Sequence, residues 1–161
     1  MFRDNHKIFS PKALLKEICT QRKKHRSIVF TNGCFDLLHI GHVRLLKKAK
    51  ALGDVLIVAL NSDSSVRKLK GVERPIFPLK DRMEILSSFE AVDYVTYFKE
   101  NTPEAILKLL APNVLVKGGD YKISQIIGAD YIKNKGGRVI VLPFVKGKSS
   151  SNILKKIKRI S

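Results

Sequence analysis

Ser27-Ile-Val-Phe-Thr31 runs straight into Asn32-Gly-Cys-Phe-Asp-Leu-Leu-His-Ile-Gly-His42, and Val43, Leu45, Leu46 and Ala49 then recur at helical spacing. The β-branched and aromatic run reads as a buried strand. The middle reads as a loop, and the last part as a helix stopped by Gly53. Strand, loop and helix in that order open a βαβ unit. His39 and His42 stand three apart around Gly41, where that helix begins. Backbone N–H groups and the macrodipole at a helix N-terminus favour an anion, and Gly41 leaves room for a phosphate to approach. Imidazoles placed there donate to charge developing on a transferring phosphoryl group. The stretch therefore predicts a nucleotide-phosphate site.

The same alternation continues outward. Asp54-Val-Leu-Ile-Val-Ala-Leu60 is continuously apolar, as a parallel strand covered on both faces must be. Tyr94-Val-Thr-Tyr97, Val114-Leu-Val116 and Arg138-Val-Ile-Val-Leu142 read as three more strands. Helices are predicted after the Ser10-Pro11 cap to about residue 22, over 79–89, between Pro103 and Pro112, near 125–134 and in the C-terminal basic stretch. Residues 67–78, with one glycine and two prolines, read as a mobile loop. The fold class is α/β: a Rossmann-like doubly wound five-stranded parallel sheet flanked by helices. Right-handed crossovers then gather loops 32–42, 61–78, 98–101, 117–124 and 143–151 along one edge, where ligands bind.

A chain of 161 residues with 44% hydrophobic content suits one domain with a real core and excludes wholesale disorder. The longest apolar run, Val55 to Leu60, is too short for a membrane span, and residues 1–7 hold no apolar leader core. Cys19 and Cys34 make neither a disulfide framework nor a zinc pattern. A cytoplasmic protein without a membrane span is expected. The net charge is +17, of which residues 1–26 and 146–161 carry +12. No helix-turn-helix, zinc-finger spacing or aromatic interleaving accompanies it, so no nucleic-acid partner is expected. Residues 1–26 read as a basic helical arm, and 27–161 as a single domain that includes a basic C-terminal helix.

Plainer readings exist for the conspicuous residues. His39 and His42 lack a third ligand at metal-site spacing. Cys34 reads as a small buried cysteine without a basic partner, and His6 and His25 as solvated. Gly147-Lys148-Ser149 resembles the end of a Walker A loop, but Leu142 stands where that motif needs glycine. No G-x-G-x-x-G follows a strand, which argues against a nicotinamide dinucleotide.

Gly33-Cys-Phe-Asp-Leu-Leu-His-Ile-Gly-His42 resembles the H-x-G-H signature of the cytidylyltransferase-like nucleotidyltransferase superfamily, and the likeness extends over residues 28–157. Asn61-Ser-Asp63, Asp81-Arg82, Lys117-Gly-Gly-Asp-Tyr121 and Lys146-Gly-Lys-Ser-Ser-Ser151 follow in order on successive loops. Within the superfamily these motifs are most similar to the heptose 1-phosphate adenylyltransferases, in the form that stands without a sugar kinase. Phe144-Val-Lys-Gly147 stands where the cytidylyltransferases carry Arg-Thr-Glu-Gly, a departure that agrees with the heptose group.

That resemblance implies transfer of AMP from ATP to D-glycero-D-manno-heptose 1-phosphate with Mg²⁺, for a lipopolysaccharide core or related surface glycan, by a homodimer. His39 and His42 would then stabilise the nucleotide phosphates. Lys68 and Lys70, on the loop after the second strand, would neutralise pyrophosphate or the sugar phosphate. Asn32, Gly33, Cys34, Phe35, Asp36 and Gly41 would line the nucleotide. Asp36 has two readings, orienting the loop or holding Mg²⁺. Arg82 either reaches phosphate or pairs with Asp81 or Glu84. Lys117, Gly118, Gly119 and Asp120 would wall the base or sugar pocket. Ser149, Ser150 and Ser151 either meet phosphate or cap the last helix. Asn61, Asp63, Arg74 and Tyr121 would face the acceptor.

Two other readings keep part of this frame. A cytidylyltransferase for glycerol 3-phosphate or another alditol phosphate keeps the chemistry and changes the substrates. A basic binding protein on the same scaffold would show salt-dependent polyanion affinity that survives loss of both histidines.

Overall fold

The five apolar runs become one all-parallel sheet: β1 (Ile28–Gly33), β2 (Val55–Asn61), β3 (Tyr94–Phe98), β4 (Val114–Gly118) and β5 (Arg138–Leu142), in the order β3-β2-β1-β4-β5. The computed structural model describes residues 5–143, 150–157 and 159–160. Seven helices accompany the strands: α1 (Pro11–Lys23), α2 (Ile40–Lys50), α3 (Asp63–Lys70), α4 (Leu79–Ser87), α5 (Glu104–Leu110), α6 (Ala129–Asn134) and α7 (Ser150–Ile157). Among the described residues no helix is long and apolar enough to cross a membrane.

Alternation along each strand divides the core in two, because successive side chains point to opposite faces. Ile28, Phe30, Ile57, Ala59 and Leu115 pack with Leu14 and Ile18 of α1, Ile106, Leu107 and Leu110 of α5, and Ala129 and Ile132 of α6. Val29, Leu56, Val58, Leu60, Val114 and Val116 pack on the other side with Leu46 and Ala49 of α2 and Met83 and Leu86 of α4. Every residue of β2 is buried, as its unbroken apolar run requires. The doubly wound expectation therefore holds. Strand order reverses between β1 and β4, so their carboxyl ends border the crevice where such sheets bind ligands.

One local reading is extended and two need correction. The basic helical segment expected at the N-terminus forms α1, and residues 5–26 also pack on the sheet. Ser10 caps α1, Leu14 and Ile18 are fully buried, and Phe9 N–H donates to the Val95 carbonyl at 3.0 Å while Val95 N–H donates to that of Lys7 at 2.8 Å. The segment thereby covers the outer edge of β3, which would otherwise present open backbone groups. Residues 63–70, placed in a loop, form α3. Its apolar period is too weak to read, but Ser62 caps it, Asp63 opens it and Arg67, Lys68 and Lys70 close it, matching the helix dipole. The helix expected near 125–134 is split into a 3₁₀ turn, Ile123–Gln125, and α6, with Gly128 at φ 87° between them.

Leu14→Ala or Ile18→Ala should lower folding stability by about 2–5 kcal/mol in urea titrations. A loss of under ~0.5 kcal/mol, as for a surface change, would contradict the packing of α1 on the sheet.

Candidate active site

The loop after β1 is shaped by a residue in an uncommon conformation. Phe35 has φ 46°, in the left-handed region that a side chain rarely adopts, and is buried. Its ring lies over Gly33, where an added Cβ would sit 3.2 Å from the ring, and 5.4 Å from the centroid of the His42 ring. A side chain at position 33 would press on this ring and make it give by a few tenths of an ångström.

His39 is the N-cap of α2, and the two histidines cap that helix reciprocally. His39 Nδ1 accepts from Gly41 N–H at 3.1 Å, and His42 Nδ1 accepts from His39 N–H at 3.2 Å. Their ring centroids are 4.0 Å apart. The His42 N–H in turn donates to the His39 carbonyl at 2.9 Å. Backbone N–H groups expected to meet an anion directly are thus partly engaged by the cap. Donor capacity passes through the rings instead, because an imidazole that accepts at Nδ1 carries its proton on Nε2 when neutral. Burial, the neighbouring His39 and then Lys70 hold the His42 pKa down at about 4. At neutral pH its ring is an uncharged Nε2–H donor.

Across the crevice, Lys117 stands at the end of β4. Its Nζ donates to Asn32 Oδ1 at 3.4 Å and lies 5.9 Å from the Tyr121 ring centroid. It makes no ion pair among the described residues. Burial lowers its pKa, with Cys34 opposing the shift more weakly. Gly118 and Gly119 follow, and Asp120 and Tyr121 are exposed. Asn32, Gly33, Cys34, His39, Gly41, His42 and Lys117 are all half-buried at this edge.

Other expected site residues are committed to the framework. Asp36 is buried, and its carboxylate accepts from Arg74 Nε at 2.5 Å, Ile76 N–H at 2.8 Å and Phe77 N–H at 3.0 Å. Of its two readings, the geometry matches orientation of the loop. Among the described residues no group of three or more His, Cys, Asp or Glu suited to a metal occurs, and the Asp36 carboxylate is already engaged by three donors. Arg74 is turned inward toward Asp36 rather than toward an acceptor. Arg82 pairs with neither Asp81 nor Glu84; it is fully buried and its partner is Asp63 at 2.7 Å. Asn61 is buried and donates to Ser65 Oγ at 3.0 Å.

Lys68 and Lys70 are exposed on the last turn of α3, not on a loop. Ser150 Oγ donates to the Leu37 carbonyl at 2.9 Å, joining the start of α7 to the histidine loop. Ser149, Phe144, Lys146 and Lys148 lie outside the described residues, as does the side chain of Ser151. Ile76 and Phe77, which hold Asp36 through backbone N–H groups, escaped the sequence reading. Their only signal was the proline at each end, Pro75 and Pro78.

The His42 geometry sets an acid limit. Its folded pKa of about 4 lies below the ordinary 6.5, so the unfolded chain takes up a proton first as pH falls. The contribution is complete above pH 6.5 and is lost as pH falls toward 4. Thermal melts across this window should show that slope, flattened in His42→Gln. Identical slopes in the two proteins would contradict a neutral, buried ring.

A family model described as cytidylyltransferase-like matches residues 30–155. Bifunctional protein HldE of Marinomonas sp. (strain MWYL1) is 51% identical over 160 residues, covering 97% of this chain and 34% of that protein. Its counterpart from Coxiella burnetii (strain RSA 493 / Nine Mile phase I) is 49% identical over 153 residues, covering 95% and 32%. The chain thus spans about a third of the length of these curated relatives. The crystal structure of the lipopolysaccharide core biosynthesis protein from Thermoplasma volcanium GSS1 matches with a TM-score of 0.61 at 28% identity, covering 76% of this chain and 99% of that one. The family match runs from within β1, through both histidines and the β4 loop, into α7: the chain belongs to the cytidylyltransferase-like family.

Proposed function

We propose that this chain is an adenylyltransferase that transfers AMP from ATP to D-glycero-D-manno-heptose 1-phosphate, giving ADP-heptose and pyrophosphate for a bacterial lipopolysaccharide core or related surface glycan. The observation that carries the reading is the reciprocal His39–His42 cap at the crevice beside β1, with the half-buried Lys117 reaching Asn32 at the same sheet edge. The HldE relatives and the lipopolysaccharide-core neighbour support the choice of a heptose acceptor over an alditol phosphate.

In this reading an oxygen of the sugar phosphate attacks the α-phosphorus of ATP, the bond from that phosphorus to the bridging oxygen breaks, and pyrophosphate leaves with the electron pair. No covalent enzyme intermediate is required. The protein supplies position and charge compensation. His39 and His42 donate to the phosphates where negative charge accumulates. Lys68 and Lys70 face the leaving pyrophosphate from the end of α3. Lys117 compensates anionic oxygen at the crevice floor, where little water screens it. Asn32, Gly33, Cys34, Phe35 and Gly41 shape the nucleotide side, and Gly118, Gly119, Asp120 and Tyr121 the opposite wall. Ser149 and Ser151 are proposed to meet phosphate, while Ser150 ties the start of α7 to the histidine loop. Asp36, Asn61, Asp63, Arg74 and Arg82 hold these loops in place. Mg²⁺ belongs to the nucleotide substrate in this scheme. A single domain that includes residues 5–26, a homodimer and a cytoplasmic setting complete the reading.

Pyrophosphate release, with ATP, CTP and GTP crossed against sugar and alditol phosphates, should occur only with ATP and heptose 1-phosphate. Release with CTP and glycerol 3-phosphate would replace the acceptor and the base. His39→Ala and His42→Ala should each lower turnover about 100- to 1,000-fold while circular dichroism stays native. Near-normal turnover in either would remove that histidine from the chemistry.

A further inference from the structure

Arg82 is 1% exposed, in the first turn of α4, and packs beside the buried Met83 and Leu86. A guanidinium so placed is tolerated only when its donors are matched. Nε donates to the Phe77 carbonyl at 3.0 Å, Nη1 to the Cys34 carbonyl at 2.5 Å, and Nη2 to the Asn61 carbonyl at 3.0 Å and to Asp63 Oδ1 at 2.7 Å. Three of these four acceptors are backbone carbonyls, and they belong to three different segments at the carboxyl edge of the sheet. Stability alone does not call for this, since well-packed apolar residues commonly replace buried ion pairs without loss. What an apolar side chain cannot do is hold three separate loops at fixed distances through one rigid planar fork.

Each carbonyl leads to a different part of the site. Cys34 precedes Phe35, whose left-handed backbone turns its ring toward His42. A side chain at positive φ persists only where its surroundings impose it. Here the surroundings form a closed circuit: Arg82 holds the carbonyls of Cys34 and Phe77, while Phe77 N–H holds Asp36, two residues beyond Cys34. Asn61 and Asp63 lead into α3, whose last turn carries Lys68 and Lys70, the latter close enough to His42 to lower its pKa. Histidine loop and lysine helix thus share one anchor.

We propose that Arg82 is a positioning residue: by clamping the segments after β1, after β2 and before α4 to one another, it sets where His42 stands relative to the lysine-bearing end of α3. The catalytic consequence rests on the adenylyltransferase reading above, whereas the placement of His42 does not.

The test uses the full chain with Arg82→Lys, which keeps charge but loses the fork, Arg82→Met, which keeps bulk, and Asp63→Asn, which weakens one arm of the clamp at its exposed end. In folded Arg82→Lys and Arg82→Met, NMR titration should move the His42 pKa up from about 4 toward 6.5 as its burial loosens. Turnover should fall about 10- to 100-fold with the ATP KM nearly unchanged, the pattern of misplaced rather than missing groups. Asp63→Asn, which keeps an oxygen acceptor but removes its charge, should fold with a lowered melting temperature and lose turnover several-fold. A merely structural arginine would change the melting temperature and leave the His42 titration and turnover of the folded protein alone. That outcome overturns the proposal, as does wild-type turnover in Asp63→Asn if neither arginine variant folds. If the wild-type chain releases no pyrophosphate from ATP and heptose 1-phosphate, the reaction is wrong, and the His42 titration still decides the role of Arg82.

Discussion

A helix that starts inside a phosphate site must satisfy its first N–H groups to hold its turn, yet leave donors to meet an anion. In α2 the cap between His39 and His42 reconciles these demands. An aspartate cap would accept the backbone N–H and end the donor chain there, because a carboxylate only accepts. An imidazole accepts at one nitrogen and donates at the other, so each engaged backbone N–H polarises a ring that still carries Nε2–H. The spacing of three residues follows from this arrangement, since it lets the side chain at the cap and the side chain one turn later exchange bonds with each other's backbone. Neutrality matters as much as position. A protonated Nδ1 could no longer accept, and the burial that keeps His42 uncharged therefore also preserves the cap.

The remaining architecture places charge around that cap without letting it collapse into ion pairs. Lys117 lies at the reversal of strand order and finds an amide oxygen and an aromatic ring rather than a carboxylate. Two carboxylates at this edge are occupied elsewhere: Asp36 by Arg74 and two backbone N–H groups, Asp63 by Arg82. In the adenylyltransferase reading, the positive lining is thereby left for a substrate carrying several phosphates. Rigid loops supported from below make this possible, because a mobile Asp36 or Asp63 would be drawn to the unpaired lysine.

Those features were unequally legible in the sequence. The sheet could be read because five short apolar runs alternate with helical spacings, and β2 announces its central place by having no polar position before Asn61. The histidines could be read because strand, glycine and helix signals bracket them. Arg82 could not, since local spacing offers Asp81 and Glu84 as partners whereas the real one lies nineteen residues away across the fold. Nor could the setting of Asp36, two of whose three donors are backbone groups that no residue type encodes. How α1 packs on the sheet was hard to read because the charge around it is conspicuous. Leu14 and Ile18, which decide the packing, are only two residues among eight basic ones.

The central claim is that the paired histidine rings, His42 uncharged, offer donors to a nucleotide's phosphates. Nitrogen-15 NMR of the histidine rings at neutral pH, with and without a non-hydrolysable ATP analogue, tests it most directly. The account predicts that His42 is a neutral Nε2–H tautomer and that the ring signals of both His39 and His42 shift when the analogue binds. A charged His42 ring, an Nδ1–H tautomer there, or histidine signals indifferent to bound nucleotide would contradict it.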